Sequence, residues 1–160
     1  MSTLGRHASS LQLASTPGGG RPARAFTCLV LLAAGVAGLP GSVLADEVHW
    51  TNASGGNWHV PSNWSTGMVP GPDDVVYIDL GGTYTVTLSS GAVIDTLILG
   101  TNQTLNVTAP LSLMGGSSSS TINGTLNLSH TLTISGPLNV QGTLTMNTPG
   151  TVGGPGTLHI

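Results

Sequence analysis

Residues 125–148, TLNLSHTLTISGPLNVQGTLTMNT, form four consecutive six-residue units, each with apolar residues at its second and fourth positions. The pairs are Leu126 and Leu128, Leu132 and Ile134, Leu138 and Val140, and Leu144 and Met146. In an extended chain successive side chains point to opposite faces, so each pair turns inward while Thr, Asn and Ser turn to water. A longer period overlies the short one. TLNVTAPLSLM, beginning at Thr104, aligns with TLNLSHTLTIS at Thr125 at an offset of 21, and INGTL at Ile122 aligns with VQGTL at Val140 at an offset of 18. Gly124, Gly136, Gly142 and Gly156 each precede a Thr-Leu or Pro-Leu strand start, where a corner with φ > 0 is expected. Short strands between glycine corners, returning at coil-length intervals, predict an all-β chain wound as a single-stranded parallel β-helix, because one coil cannot bury its apolar face alone. The 86 residues of 75–160 suffice for roughly four coils at about 4.8 Å each. An antiparallel sandwich is the competing architecture, but only Asn123-Gly124 gives a two-residue hairpin signal and the repeats run in one sense. GGSSSS, residues 115–120, reads as a loop bulging from one corner. The final GPGTLHI is another strand start, so the pattern predicts a solenoid that continues in a longer protein.

The beginning of the chain has a different character. Residues 1–45 carry Arg6, Arg21 and Arg24, then an apolar run AFTCLVLLAAGVAGL at 25–39, then small residues at Val43 and Ala45, which is the pattern of a secretory signal peptide cleaved after Ala45. The apolar run is shorter than the ~20 residues a bilayer span needs, so membrane insertion of the mature chain is not expected. Cys28, the single cysteine, leaves with the leader, and the mature chain must be held by burial and backbone hydrogen bonds without a disulfide. All three basic residues lie in the leader and all six acidic ones (Asp46, Glu47, Asp73, Asp74, Asp79, Asp95) follow it. A mature chain without Lys or Arg has no cations to neutralise phosphates, which excludes nucleic acid as a partner and disfavours anionic membranes.

Residues 46–74 precede the repeats and read as an N-terminal cap. They hold every tryptophan of the chain, Trp50, Trp58 and Trp64. Two readings compete. As a structural cap, the indoles cover the first coil, where no preceding coil exists to bury it. As a carbohydrate platform, they would stack on sugars. The cap is the expectation, because an end strand needs covering whatever the ligand. Pro70, Gly71 and Pro72 make a turn, and Asp73 is expected to accept backbone hydrogen bonds as the chain enters VVYIDL. Asp73 and Asp74 alone fall short of the six to eight oxygens calcium takes, so no metal is assigned. Gly56 and Trp58, Asn63-Trp64-Ser65, Pro70, and Asp73, Asp74, Val75 and Ile78 together resemble the start of exported bacterial β-helix surface proteins, including autotransporter-type passengers. That resemblance implies surface display and, often, adhesion.

No residue pattern speaks for catalysis or for a cofactor. Sugar-cleaving β-helices would need a basic residue or clustered carboxylates across a groove, and the mature chain after Ala45 has neither Lys nor Arg while Asp79 and Asp95 stand sixteen residues apart. His49, His59, His130 and His159 have no metal-ligand spacing. Sequons at Asn52, Asn63, Asn102, Asn106, Asn123 and Asn127 are no more than a Thr-rich chain produces by chance. Thr85 and Thr87, Thr131 and Thr133, and Thr143 and Thr145 form Thr-x-Thr pairs that could line a face for neutral glycans or ice, but in sequence they do not recur in each coil. The function expected is a secreted or surface-displayed structural or adhesive module without enzymatic activity. Its partners would be extracellular polysaccharide or other cell-surface components, with self-association through the open solenoid end. The alternative is a fragment of a carbohydrate-binding or polysaccharide-degrading β-helix protein.

Overall fold

The computed structural model describes residues 45–116 and 118–160; the proposed signal peptide and Cys28 lie outside the described residues. Among the described residues two short strands come first, β1 (Glu47–His49) and β2 (Gly56–Asn57), with a 3-10 turn at Pro61–Asn63 after them. Twelve strands then make four turns of three. The first turn is β3 (Val75–Ile78), β4 (Tyr84–Leu88) and β5 (Ala92–Ile94), and the second is β6 (Thr96–Leu99), β7 (Gln103–Val107) and β8 (Leu111–Leu113). The third is β9 (Ser120–Ile122), β10 (Thr125–Leu128) and β11 (Thr131–Ile134), and the fourth is β12 (Leu138–Val140), β13 (Thr143–Met146) and β14 (Thr151–Gly153). A last strand, β15 (Leu158–His159), begins a further turn.

Every third strand joins the same sheet. The result is a six-stranded sheet ordered β1-β3-β6-β9-β12-β15, a five-stranded sheet ordered β13-β10-β7-β4-β2 and a four-stranded sheet ordered β14-β11-β8-β5. All pairings between these strands are parallel. The fold is therefore the expected β-solenoid of about four turns, with three faces. The offset of 21 is the register that sets Thr104 on Thr125, and the offset of 18 sets Thr125 on Thr143. Leucines six residues apart are not stacked on one another. They occupy successive faces of one turn, so Leu126, Leu132 and Leu138 belong to the five-, four- and six-stranded sheets.

Inward side chains form columns along the axis. On the five-stranded sheet these are Val86, Leu105, Leu126 and Leu144, beside Leu88, Val107, Leu128 and Met146. The first three of each column are fully buried, whereas Leu144 is half-buried and Met146 is 53% exposed. The fourth apolar pair is thus in register, on the outermost strand of this sheet among the described residues. Ser120 departs from the expected loop. It is the first residue of β9, buried at a core position between Leu97 and Leu138, and its Oγ accepts the Leu97 N–H at 3.0 Å, which satisfies the hydroxyl inside an apolar column.

The corner glycines are also explained differently than the sequence suggests. None of Gly124, Gly136, Gly142 and Gly156 has a positive φ. Corners stack on corners, and a Cβ on Gly142 would run into the carbonyls of Gly124 and Asn123, while one on Gly136 would press on the Cα of Gly115. Close backbone approach, not left-handed geometry, demands glycine there.

Leu126 has buried neighbours in the coils on both sides, and Leu144 in one only. Leu126→Ala should therefore cost about 2–5 kcal/mol, and Leu144→Ala less than about half as much, read from denaturant midpoints at equal m. Equal losses would reject the columnar core.

Candidate functional site

Two features outside the repeat core could carry function: the indole cluster and the outer surfaces of the sheets. The cluster is built by the segment between β1 and β3. Trp50 N–H donates to the Tyr77 carbonyl at 2.8 Å, continuing the six-stranded sheet past β1, and Trp58 N–H donates to the Thr87 carbonyl at 2.9 Å, continuing the five-stranded sheet past β2. Trp50 and Trp64 form an isolated antiparallel bridge. The segment thereby lies over the first full turn, and its indoles meet there. Trp64 packs edge-on against Trp50 at 4.9 Å and against Trp58 at 4.8 Å, and Trp50 lies parallel to Tyr84 at 6.5 Å. Edge-to-face and offset-parallel arrangements are what the ring quadrupoles favour. Trp50, Trp58 and Trp64 are 1%, 0% and 2% exposed. Stacking on a sugar requires a ring face open to solvent, and none of the three offers one.

A polar scaffold invisible to sequence reasoning holds the rings. Asn63 is buried, its Nδ2 donating to the Asn57 carbonyl and its Oδ1 accepting from Asn52 Nδ2, both at 3.0 Å. Asn52 Oδ1 accepts the Ser54 N–H and Asn57 Oδ1 the His59 N–H. Trp64 Nε1 donates to the Trp58 carbonyl at 2.7 Å and Trp50 Nε1 to the Asn52 carbonyl at 2.6 Å. Three asparagines, two of them read above as sequons, therefore close the loop backbone on itself. Gly55, at φ 74, packs against the Thr85 backbone, where a Cβ would collide. The Trp58 Nε1, His59 Nδ1 and Tyr84 hydroxyl are buried without a partner of hydrogen-bond geometry.

The acidic residues are placed as follows. Asp74, not Asp73, makes the turn into β3: its Oδ2 accepts the Gly71 N–H at 2.7 Å, while Asp73 is exposed. Asp95 is buried, its Oδ1 accepting the Gly116 N–H at 2.7 Å and its Oδ2 the Thr96 hydroxyl at 3.1 Å, so it pins the β8–β9 connection. Asp79 lies 3.9 Å from His49 Nδ1, and the His49 ring stacks on Tyr77 at 4.5 Å. Burial first, then the charges of Glu47 and Asp79, push the Tyr77 phenol up. His130 Nδ1 accepts the Thr131 N–H, and His159 sits at the far end of the six-stranded sheet. Among the described residues no three of His, Cys, Asp or Glu converge on a metal position, and no pocket is found.

The outer surfaces differ from face to face. On the five-stranded sheet the outward column Thr85, Thr104, Thr125, Thr143 runs beside Asn57, Thr87, Asn106, Asn127, Thr145. Thr85 and Thr87 thus share a face with Thr143 and Thr145, completed by residues that no Thr-x-Thr search finds. Thr131 and Thr133 lie on another sheet. Comparison with known protein families, curated proteins and solved structures finds no match to this chain.

Trp64→Ala should destabilise the chain by about 3–5 kcal/mol through the cavity it leaves, and Asn63→Ala by about 1–3 kcal/mol through unpaired loop groups. A melting curve like that of the unaltered chain would reject the structural role. A second expectation concerns alkali. Burial is the main cause that raises the Tyr84 pKa, the Asp79 charge adds to it, and the Leu80 backbone offsets part. The unfolded chain then loses the proton first, so the stabilisation is fully present below about pH 10 and is lost as pH rises beyond it. Tyr84→Phe should make the fall in melting temperature between about pH 8 and about pH 11 shallower; an unchanged profile would assign that fall elsewhere.

Proposed function

We propose that the chain is a secreted or surface-displayed structural or adhesive module that works through its outer faces and not through a cleft. The observation that carries this reading is the continuous neutral ladder on the five-stranded sheet, five outward rungs deep from Asn57 to Thr145. Its side chains offer hydroxyl, amide and methyl groups to a surface, and the coils behind them are held in one register by fully buried columns. The leader composition supports export, with Ala45 as the cleavage point, and the Trp- and Asn-rich opening resembles exported bacterial β-helix surface proteins. Support for a role without chemistry comes from the carboxylates: Asp95 and Asp74 are engaged by backbone N–H groups, which suits anchoring more than proton transfer.

The C-terminal coil adds a second mode of contact within the same reading. Strands β13, β14 and β15 carry Leu144, Val152 and Leu158 half-buried, with Met146 and Ile160 exposed, and self-association through these edges would cover them.

The full chain should co-sediment with bacterial cell envelopes in a saturable way. Thr125→Lys, which sets a charge in the middle of the ladder, should lower retention about tenfold or more with no change in melting temperature. Retention indifferent to that substitution would reject adhesion through this face.

A further inference from the structure

The neutral ladder has a regularity that the other two faces lack. Along the six-stranded sheet the corresponding outward column reads His49, Tyr77, Ile98, Thr121, Asn139, His159, and along the four-stranded sheet it reads Val93, Ser112, Thr133, Gly153. Both change character at nearly every rung. Threonine, a favoured solvent-facing strand residue, occurs outward on all three sheets, as at Thr121, Thr131, Thr133 and Thr151, but only the five-stranded sheet stacks four without interruption, Thr85, Thr104, Thr125 and Thr143.

Charge is sparse on the strands. Glu47 is the one acidic strand residue and lies on the six-stranded sheet, Asp46, Asp74, Asp79 and Asp95 adjoin strands of that sheet with Asp95 also adjoining β5, and the strands of the five-stranded sheet, like those of the four-stranded one, carry no charged residue. Aromatic rings are likewise absent from the outside of the five-stranded face, since its one tyrosine, Tyr84, is turned inward and buried. The partner of this face is therefore neutral and is not gripped by ring stacking.

Geometry narrows it further. Rungs repeat at about 4.8 Å along the axis and outward residues on one strand are about 6.6 Å apart, which makes a regular two-dimensional array of hydroxyls, methyls and amides. The array is fixed in place. Val86, Leu88, Leu105, Val107, Leu126 and Leu128 behind it are 0% exposed, β4, β7 and β10 are each paired on both sides, and Asn127 Nδ2 donates to Asn106 Oδ1 at 2.9 Å. Each rung makes only weak contacts with a ligand. Such contacts add up when neither side must be ordered on binding, which favours a rigid solid of matching period over a flexible chain.

We propose that the outer face of the five-stranded sheet binds ice. The proposal rests on the adhesive reading of this face given above, and it names water in its crystalline form as the partner. Threonine hydroxyls would join the hydrogen-bond network of the crystal surface, with the methyls seated between its water rows. A surface without charge suits a lattice that expels ions, and the absence of exposed rings argues against sugars as the ligand.

The test is partition of the full chain into slowly growing ice, together with crystal shape and freezing hysteresis near the melting point. The unaltered chain should be enriched in the ice and should facet the crystals. Thr104→Tyr and Thr125→Tyr, which raise a bulky ring from this face, should lower the enrichment about tenfold or more, while Thr133→Tyr on the four-stranded sheet should not. Should either ladder variant unfold by circular dichroism, Thr125→Ser, which keeps the hydroxyl and deletes the methyl, should weaken enrichment severalfold in a folded chain. Exclusion of the unaltered chain from ice would overturn the proposal, as would equal partition of ladder variants and the Thr133→Tyr control. If ice excludes the chain while envelopes or insoluble neutral polysaccharide retain it in a Thr125-dependent way, the adhesive reading stands and ice is the wrong partner. Failure of both binding assays removes both.

Discussion

Parallel, in-register stacking of one turn on the next is the constraint from which the rest follows. Backbone hydrogen bonds run along the axis, so a coil residue's partner in the next coil is 18 to 23 positions away and not the residue six away. Side chains then sort into columns with a shared environment. Apolar columns such as Val86, Leu105 and Leu126 exclude water on every side, and polar columns meet solvent together. The described residues, which hold no disulfide and a single His–Asp contact, are held in this way, because inner residues of the middle turns are buried by two turns at once.

The apolar pairs and their two offsets made the solenoid legible in the sequence, because a two-residue period fixes which side chains face inward and a repeat fixes which coils touch. Details that depend on third-dimensional closure were not legible. Ser120 stands in a serine-rich run, and only the register of β9 against β6 and β12 shows that it fills a core position. Glycine corners invite a φ argument, yet Gly142 and Gly136 answer to the carbonyl and Cα of the corner beneath. Asn52, Asn57 and Asn63 match a modification signal or nothing by sequence, since their partners are loop groups whose positions follow from the fold of the cap.

The first and last described turns are covered differently. At the N-terminal end, β1 and β2 pair with β3 and β4, and the segment between them lays three indoles over the first turn. Large rings suit that place: a cap has no columnar partner above it and must supply all its apolar area from a short segment, which rings do with few rotatable bonds. At the other end Leu144, Val152 and Leu158 keep the column positions but carry less cover, so the pattern of the core persists there without its full burial.

Columns also free the three faces from one another. A substitution on the outside of one sheet leaves the inner columns and the other two sheets untouched, so each face can hold its own chemistry on a common core. The six-stranded face carries Glu47, the His49–Tyr77 stack and His159, whereas the five-stranded face repeats threonine and asparagine. Strand propensity acts on all faces alike, and the core constrains only inward positions. Uniformity on one face beside variation on the others is compatible with the same core, and contacts along the ladder such as Asn127 Nδ2 to Asn106 Oδ1 tie its neighbouring rungs together.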